Sequence, residues 1–359
     1  MHRGNKLNLN LTKEFILYRT NNNQFIMSSY TTRYLTTNEY KEWDLLISQS
    51  PACNIFDTTL WLDALSSVLN CKIKILGVFN KDALIGGVAF EAVEKFRLKI
   101  ANVPLISCFN SCHYIPRNTQ YKEKQRIYIQ GILTSIAERL QNDFDYVVIA
   151  NHPEFKDIRG FLWKNWNQCI LYSYRTNLHG VEFSLISATK RRQIKKARKR
   201  LIVTEEIKDI APVYDIIEHT YIRQGITCPL TLDEMTEIFK RINNNIVIIA
   251  AREDKSEGYK AADISIVDYK KNCIYGLFRG FVLETPDSGI NSLLQWKVIE
   301  YFKDKGFDFY DFGQAGSPSK ASFKGQFDTD LVPFYRVSKS SLPFSIAWHL
   351  TKGRIVQVQ

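Results

Sequence analysis

Eight cations and no acid fall within residues 187–201, SATKRRQIKKARKRL: Lys190, Arg191, Arg192, Lys195, Lys196, Arg198, Lys199 and Arg200. Held in order, such a group can bind phosphate. A guanidinium grips it with two parallel bonds, and an ammonium acts as a point charge. The order comes from Ile194, Ala197 and Leu201, whose i, i+3, i+7 spacing puts a narrow apolar stripe on a helix. Ser187 or Thr189 can cap that helix. Its first turn carries Lys190, Arg191 and Arg192, where the helix dipole favours Asp or Glu. A local rule broken at a helix start marks a candidate anion site, built from side chains and free backbone N–H groups. A solvated basic face is the plainer reading of the same charges, and both stay open.

The whole chain leans the same way. Its 359 residues carry a formal net charge of +11 with a sequence pI of about 9.2. That selects for nucleic acid, phosphorylated substrates or an anionic membrane surface as partners. The length suits two domains, and 45% hydrophobic with 24% charged residues suits a globular protein. Seven scattered cysteines, an odd number in mostly apolar surroundings, fit a reducing compartment. Cys108, Cys112 and His113 lack a second ligand pair at zinc spacing, so no metal is expected. No stretch is long and apolar enough to span a bilayer, and the Asn-rich start has no apolar signal core. A cytoplasmic protein with a poorly ordered arm at residues 1–30 is expected, with Met27 as an alternative start.

These residues must be positioned by two similar sets of elements. In the first set, helices are expected over Glu39–Ser50, Asp57–Leu69 and Tyr121–Gln141. Strands are expected over Ile73–Phe79, Ala83–Val93, Lys99–Ser107 and Phe144–Ala150. The second set has helices at Ile210–Gln224, Thr231–Ile242 and Gly289–Lys305. Its strands are Ile246–Arg252, Tyr259–Asp268, Cys273–Phe281 and Phe307–Gly313. ERLQNDFDYVVI at 138–149 is echoed by EYFKDKGFDFYDF at 300–312. A shared rhythm of helix, hairpin, long helix and buried strand predicts two α+β domains. Each would have its own sheet, with a crossover over 170–185. Asp308 and Asp311 end the last of these strands. Asp-Phe-Gly-Gln is turn chemistry, so Asp311 is read first as a cap and second as a general base.

Five pieces resemble the Fem-type branch of the GNAT acyltransferase superfamily, which includes the peptidoglycan-bridge aminoacyltransferases. They are SATKRRQIKKARK at 187–199, YGLFRG at 275–280, SGINSLLQWKVIEYFKDKG at 288–306, YDFGQAG at 310–316 and KASFKGQF at 320–327. The resemblance covers roughly 150 residues of the second half. It implies two tandem GNAT-like domains, each a mixed, mostly antiparallel sheet flanked by helices, at 31–180 and 181–340, with a tail at 341–359. It also implies transfer of an acyl or aminoacyl group to an amine in a cleft. Phe323 and Lys324 match the family's Phe-Lys pair, which makes Lys324 a charge stabiliser and Phe323 a packing wall. Arg191 and Arg192 match the basic pair that holds phosphate, with Lys195 and Lys320 beside them as substrate contacts. No cofactor is expected to be permanently bound. The donor is left open among acyl-CoA, an acyl-carrier and aminoacyl-tRNA. The Gly-rich pyrophosphate loop of acetyl-CoA enzymes is reduced here to Thr285–Gly289 with one glycine.

The resulting expectation is a cytoplasmic N-acyltransferase of cell-envelope biogenesis. Its acceptor would be a phosphorylated small molecule or a lipid-linked precursor, and it would make at most peripheral contact with anionic membrane. The rivals are a nucleic-acid-binding module using helix 187–201 and a non-catalytic relative. Deleting residues 1–26 should change the free energy of unfolding by no more than about 1 kcal/mol. Thermal unfolding of the shortened chain measures this.

Overall fold

The computed structural model describes residues 30–200, 202–254, 258–282 and 289–351. The arm expected at 1–30, Tyr30 apart, lies outside the described residues. So do Leu201, residues 285–288 of the single-glycine loop and the tail from Lys352.

The first half runs β1 (Thr31–Tyr34), α1 (Tyr40–Gln49), α2 (Thr59–Leu69), β2 (Ile73–Asn80), β3 (Ala83–Lys95), β4 (Leu98–Asn102), β5 (Cys112–Tyr114), α3 (Lys122–Asp143), β6 (Tyr146–Ala150), α4 (Arg159–Leu162) and β7 (Asn167–Asn177). The second runs α5 (Ala188–Lys199), β8 (Ile202–Ile207), α6 (Ala211–Ile222), α7 (Leu232–Arg241), β9 (Ile246–Glu253), β10 (Ala261–Asp268), β11 (Cys273–Phe281), α8 (Ile290–Asp304), β12 (Phe309–Gln314), α9 (Pro318–Lys324), β13 (Asp330–Ser340) and α10 (Leu342–Leu350). Local chemistry accounts for many boundaries. Thr58 caps α2 by accepting from the Trp61 amide, and Asn70 ends that helix in the left-handed region. The strand expected to reach Ser107 stops at Asn102, because Pro104 has no N–H to give and Ile106 takes a positive φ.

β3 and β4 are joined by a two-residue turn at Phe96 and Arg97, both at positive φ (52° and 63°). A turn of that type normally uses Asn-Gly. Side chains with a Cβ resist this conformation by roughly 1–2 kcal/mol each. Phe96 is 75% exposed, so burial of its ring offsets little of that cost.

The two halves repeat one plan, but their sheets are not separate. The order β1-β2-β3-β4-β6-β13-β7-β12-β11-β10-β9-β8 forms one continuous sheet. The halves exchange their last strands. β7, from the first half, pairs antiparallel with β12, and β13, from the second, pairs antiparallel with β6. β7 and β13 then pair with each other over nine residues, Asn167–Arg175 with Asp330–Ser338. The expectation of two independent sheets meeting near residue 180 is corrected in this respect. The first half of the supposed crossover at 170–185 is strand β7, and the supposed tail begins as helix α10. Alternation in β7 is blurred because Ile170 and Tyr172 are exposed, which hid the strand from the sequence pattern.

One apolar core is shared. Trp43, Trp61 and Phe56 of the first half pack in the same cluster as Ile217, Met235 and Tyr275 of the second, with Phe334 of β13 among them. A second cluster lies under α3, and a third lies under α5 and α8. Polar ties cross the same boundary: the Ile55 amide donates to Asp268 Oδ2 at 2.9 Å, and Lys271 Nζ donates to the Pro51 carbonyl at 2.7 Å. A shared core and exchanged strands make the halves one cooperative unit. Phe334→Ala should cost about 3–5 kcal/mol and shift a single denaturant transition. Two separated transitions, one per half, would contradict this arrangement.

Candidate active site

The site grows from a break in the sheet. β11 and β12 run parallel and pair over three residues only, Cys273–Tyr275 with Phe309–Asp311. Beyond that they part, β11 continuing against β10 and β12 against β7. At the apex, a Cβ on Gly276 would lie 2.5 Å from the Tyr310 hydroxyl, so glycine is required where that ring enters. Just past the apex, Ile264 faces Phe278 while Ser265 faces Gly276. Leu277 is therefore the extra residue of a β-bulge, with its backbone groups out of register with β10. The parted strands open a cleft of about 240 Å³, walled by α6, α8 and α9.

Parting strands leaves carbonyls without ladder partners, and a buried orphan carbonyl is costly. Lys324 answers this. Its Nζ donates to the Phe312, Gly313 and Gln314 carbonyls at 2.5, 3.2 and 2.8 Å. Three successive carbonyls converge there because Gly313 sits at φ 70°. Burial lowers the Lys324 pKa to about 8, against an upward pull from Asp311. Lys324 is thus first a clamp on the strand end, and it also lines the cleft, as do Lys320 and Phe323.

Across the cleft, Arg279 is held by Asp263. Its Nε donates to Asp263 Oδ2 at 3.1 Å, and its Nη2 reaches the same oxygen. Tyr310 donates to that oxygen as well, at 3.3 Å, and Ser265 Oγ satisfies Oδ1 at 2.6 Å. Arg279 Nη1 also bonds Gln295 Oε1. The Gln295 side chain is fully buried against the cleft, yet its Nε2 has no hydrogen-bond partner. A buried amide N–H without an acceptor is a donor waiting for one. Burial pushes the Tyr310 hydroxyl well above its usual range, so it stays protonated and can donate.

The basic helix meets this site through a different residue from those expected. Lys190, only 7% exposed, lies 4.3 Å above the Phe323 ring and donates to Ser292 Oγ and Gln193 Oε1, both at 3.2 Å. Burial, with Arg279 nearby, lowers its pKa to about 8. Arg191 instead donates to the Ser184 carbonyl of its own chain, while Arg192 and Lys195 point into solvent. None of the three lines the cleft. The expectation that Arg191 and Arg192 face it is corrected by helical geometry: Ser187 caps the first turn, and burial of Ile194 and Ala197 turns the next residues outward. Among the described residues the cleft is lined by the second half, not by both halves.

Asp311 is 1% exposed and spends its oxygens on β7. It accepts from Ser173 Oγ, from Arg175 Nε and Nη2 at 3.3 and 3.1 Å, and from the Gly313 amide at 2.8 Å. That is the turn-capping role, joined to a strand tie, and it leaves the carboxylate no lone pair facing the cleft. Asp308 is exposed and bonds His179. In the first half, His113 bonds Asp57 at 2.9 Å and Ser50 at 3.1 Å. These are the residue types of a hydrolase triad, but all three are buried, so the group ties loops together. All seven cysteines are unpaired. Among the described residues no cluster has metal-ligand geometry, and no helix is long and apolar enough to cross a membrane.

Sequence reasoning did not single out Arg279, Asp263, Gln295 or Tyr310, and it placed Lys190 only among the cations of the basic helix. Gln295 carried a signal, a polar residue between Leu294 and Trp296 on an otherwise apolar helix. The lowered Lys190 pKa has a definite sign. Between about pH 8 and 10.5 the unfolded chain keeps a proton that the folded chain has lost, so raising pH favours the folded state there. The stability difference between the wild type and Lys190→Met should therefore move toward the wild type across that window in urea titrations. A flat difference would sink the assignment.

The comparisons fit this geometry. The family model "Acetyltransferase (GNAT) domain" matches residues 187–324. No curated protein matches the chain in sequence. Among solved structures, FemX superposes with a TM-score of 0.62 at 12% identity, covering 89% of this chain and 99% of FemX. The C-terminal domain of a putative lysylphosphatidylglycerol synthetase from Agrobacterium fabrum gives 0.56 at 11% identity, covering 90% and 99%. A tandem GNAT protein from the clavulanic acid biosynthesis pathway gives 0.51 at 8%, covering 87% and 98%. Residues 187–324 therefore match a GNAT acetyltransferase domain, within a fold that is shared with FemX and with the tandem GNAT protein.

Proposed function

We propose that the protein is an N-acyltransferase that works in the cleft between β11 and β12. An acceptor amine attacks the carbonyl carbon of an activated ester or thioester. A C–N bond forms, the C–O or C–S bond breaks, and the amine proton leaves with the departing group. The observation that carries this reading is the buried, unpartnered Gln295 Nε2 in a cleft that Leu277 and Lys324 also line. Fixed donors in a dry cleft suit a tetrahedral oxyanion. Arg279, Lys190 and Lys324 add positive potential, which also lowers the pKa of an entering ammonium and favours its neutral, nucleophilic form. Among the described residues the one carboxylate that lines the cleft, Asp263, is held by Arg279, Ser265 and Tyr310, and an amine attacking an activated acyl group needs little help from a base.

For the acceptor, we propose an amine on a phosphate-bearing or lipid-linked cell-envelope precursor. The cation-rich cleft supports this, as do the names FemX and lysylphosphatidylglycerol synthetase among its structural neighbours. The donor remains a choice among acyl-CoA, an acyl-carrier and aminoacyl-tRNA. Exposed Arg192, Lys195 and Lys199 on α5 favour the nucleic-acid reading as second choice.

The test offers each donor class with phosphorylated amine acceptors and looks for the acylated product by mass. Gln295→Leu should lower kcat by about 10²–10³-fold with a smaller change in KM, as for loss of one oxyanion donor. Transfer to no amine, together with tight, salt-steep and sequence-indifferent RNA binding, would replace the acyltransferase reading with the second one.

A further inference from the structure

The end of the molecule formed by α10 and the β3–β4 turn carries a surface that the cleft does not use. On α10, Phe344, Ala347 and Trp348 face inward against Val93, Leu98, Ile100 and Tyr146. The opposite stripe is also apolar. Leu342, Ile346 and Leu350 recur every fourth residue and are 74%, 51% and 79% exposed. The helix therefore has two apolar faces and one packing partner.

Because α10 lies on Val93 and Leu98, the tip of the β3–β4 hairpin stands beside it. That tip is Lys95-Phe96-Arg97, with Lys99 following, and all four residues are exposed. Phe96 and Arg97 occupy a turn that disfavours them, and neither gains burial there. A bulky aromatic and a cation kept at a strained, exposed tip are explained by contact with something outside the chain. Nearby acids offset part of the charge and leave the surplus at the tip, on Lys95 and Arg97. Glu94 stands opposite Lys99 in the ladder, and Asp145 is tied down by the Ser341 hydroxyl at 3.0 Å and the Lys99 amide at 2.9 Å. In sequence, Lys352 and Arg354 follow α10.

We propose that this surface docks on a bilayer containing anionic phospholipid. Leu342, Ile346, Leu350 and Phe96 enter the acyl–headgroup boundary, while Lys95, Arg97 and Lys99 meet the phosphates. Apolar insertion beside a cationic rim is how an interfacial helix binds such a membrane. The proposal concerns binding alone and stands whether or not the cleft transfers acyl groups.

The full chain is sedimented with vesicles of phosphatidylglycerol and phosphatidylcholine, and with phosphatidylcholine alone. It should bind the anionic vesicles preferentially, and less so as salt rises. Ile346→Ser with Leu350→Ser should weaken binding about tenfold or more. Phe96→Asn with Arg97→Gly should also weaken it about tenfold, yet raise the thermal midpoint, because Asn-Gly suits the turn. Lost binding in a more stable protein excludes misfolding as the cause. Indifference to anionic vesicles, equal binding by both variants, or a wild-type dimer dispersed by Ile346→Ser would each overturn the proposal, the last by showing that a second copy covers the stripe.

Discussion

A parallel strand pair that comes apart after three residues is the constraint from which the rest of the second half follows. Strands cannot separate freely in a folded core, since each abandons backbone groups that need partners. Every special residue around the cleft answers that demand. Lys324 takes three carbonyls, Gly313 lets them converge, and Asp311 with Arg175 and Ser173 holds β12 to β7 so that it can leave β11. Gly276 admits Tyr310 into the apex, and Arg279 with Asp263 lines the wall beyond. The chemistry proposed for the site would use polar groups that the split itself made necessary.

The first half has the same split and closes it. β4 and β6 pair in parallel at Ile100–Tyr146 and Ala101–Val147, then diverge. Here Asn110 fills the gap. Its amide donates to the Ala150 carbonyl at 3.0 Å, and its Oδ1 accepts from the Ala150 amide at 2.8 Å. One asparagine thus takes the place of the missing strand partner. The two halves share a plan, and side chains decide which keeps an open cleft.

Much of this plan was legible in the sequence. Strongly periodic elements such as α2, α3 and α8 stood close to where their apolar spacing put them, and the echo of 138–149 in 300–312 marks equivalent places, α3–β6 and α8–β12. The five resembling segments brought Lys320, Phe323 and Lys324 to the cleft. What could not be read is set by tertiary context. β7 and β13 look irregular because each pairs with strands of the other half, with mixed exposure and Pro333 in the ladder. The orientation of the basic helix depended on a cap and two buried residues, so a density of charge identified the helix but not which of its cations would turn inward. Arg279 and Gln295 acquire meaning only when β11, α8 and β12 are assembled.

The strand exchange has a consequence for how this protein is made. β6 emerges from the ribosome by Ala150, but its neighbour β13 ends only at Ser340. Until β13 has been synthesised, the first half waits with an exposed strand edge and an incomplete core around the place of Phe334. Contacts so distant in sequence form slowly, and open edges invite association with other nascent chains. Translation speed and chaperone access should therefore matter more for this chain than for two domains of the same size placed end to end, each able to close before the next begins.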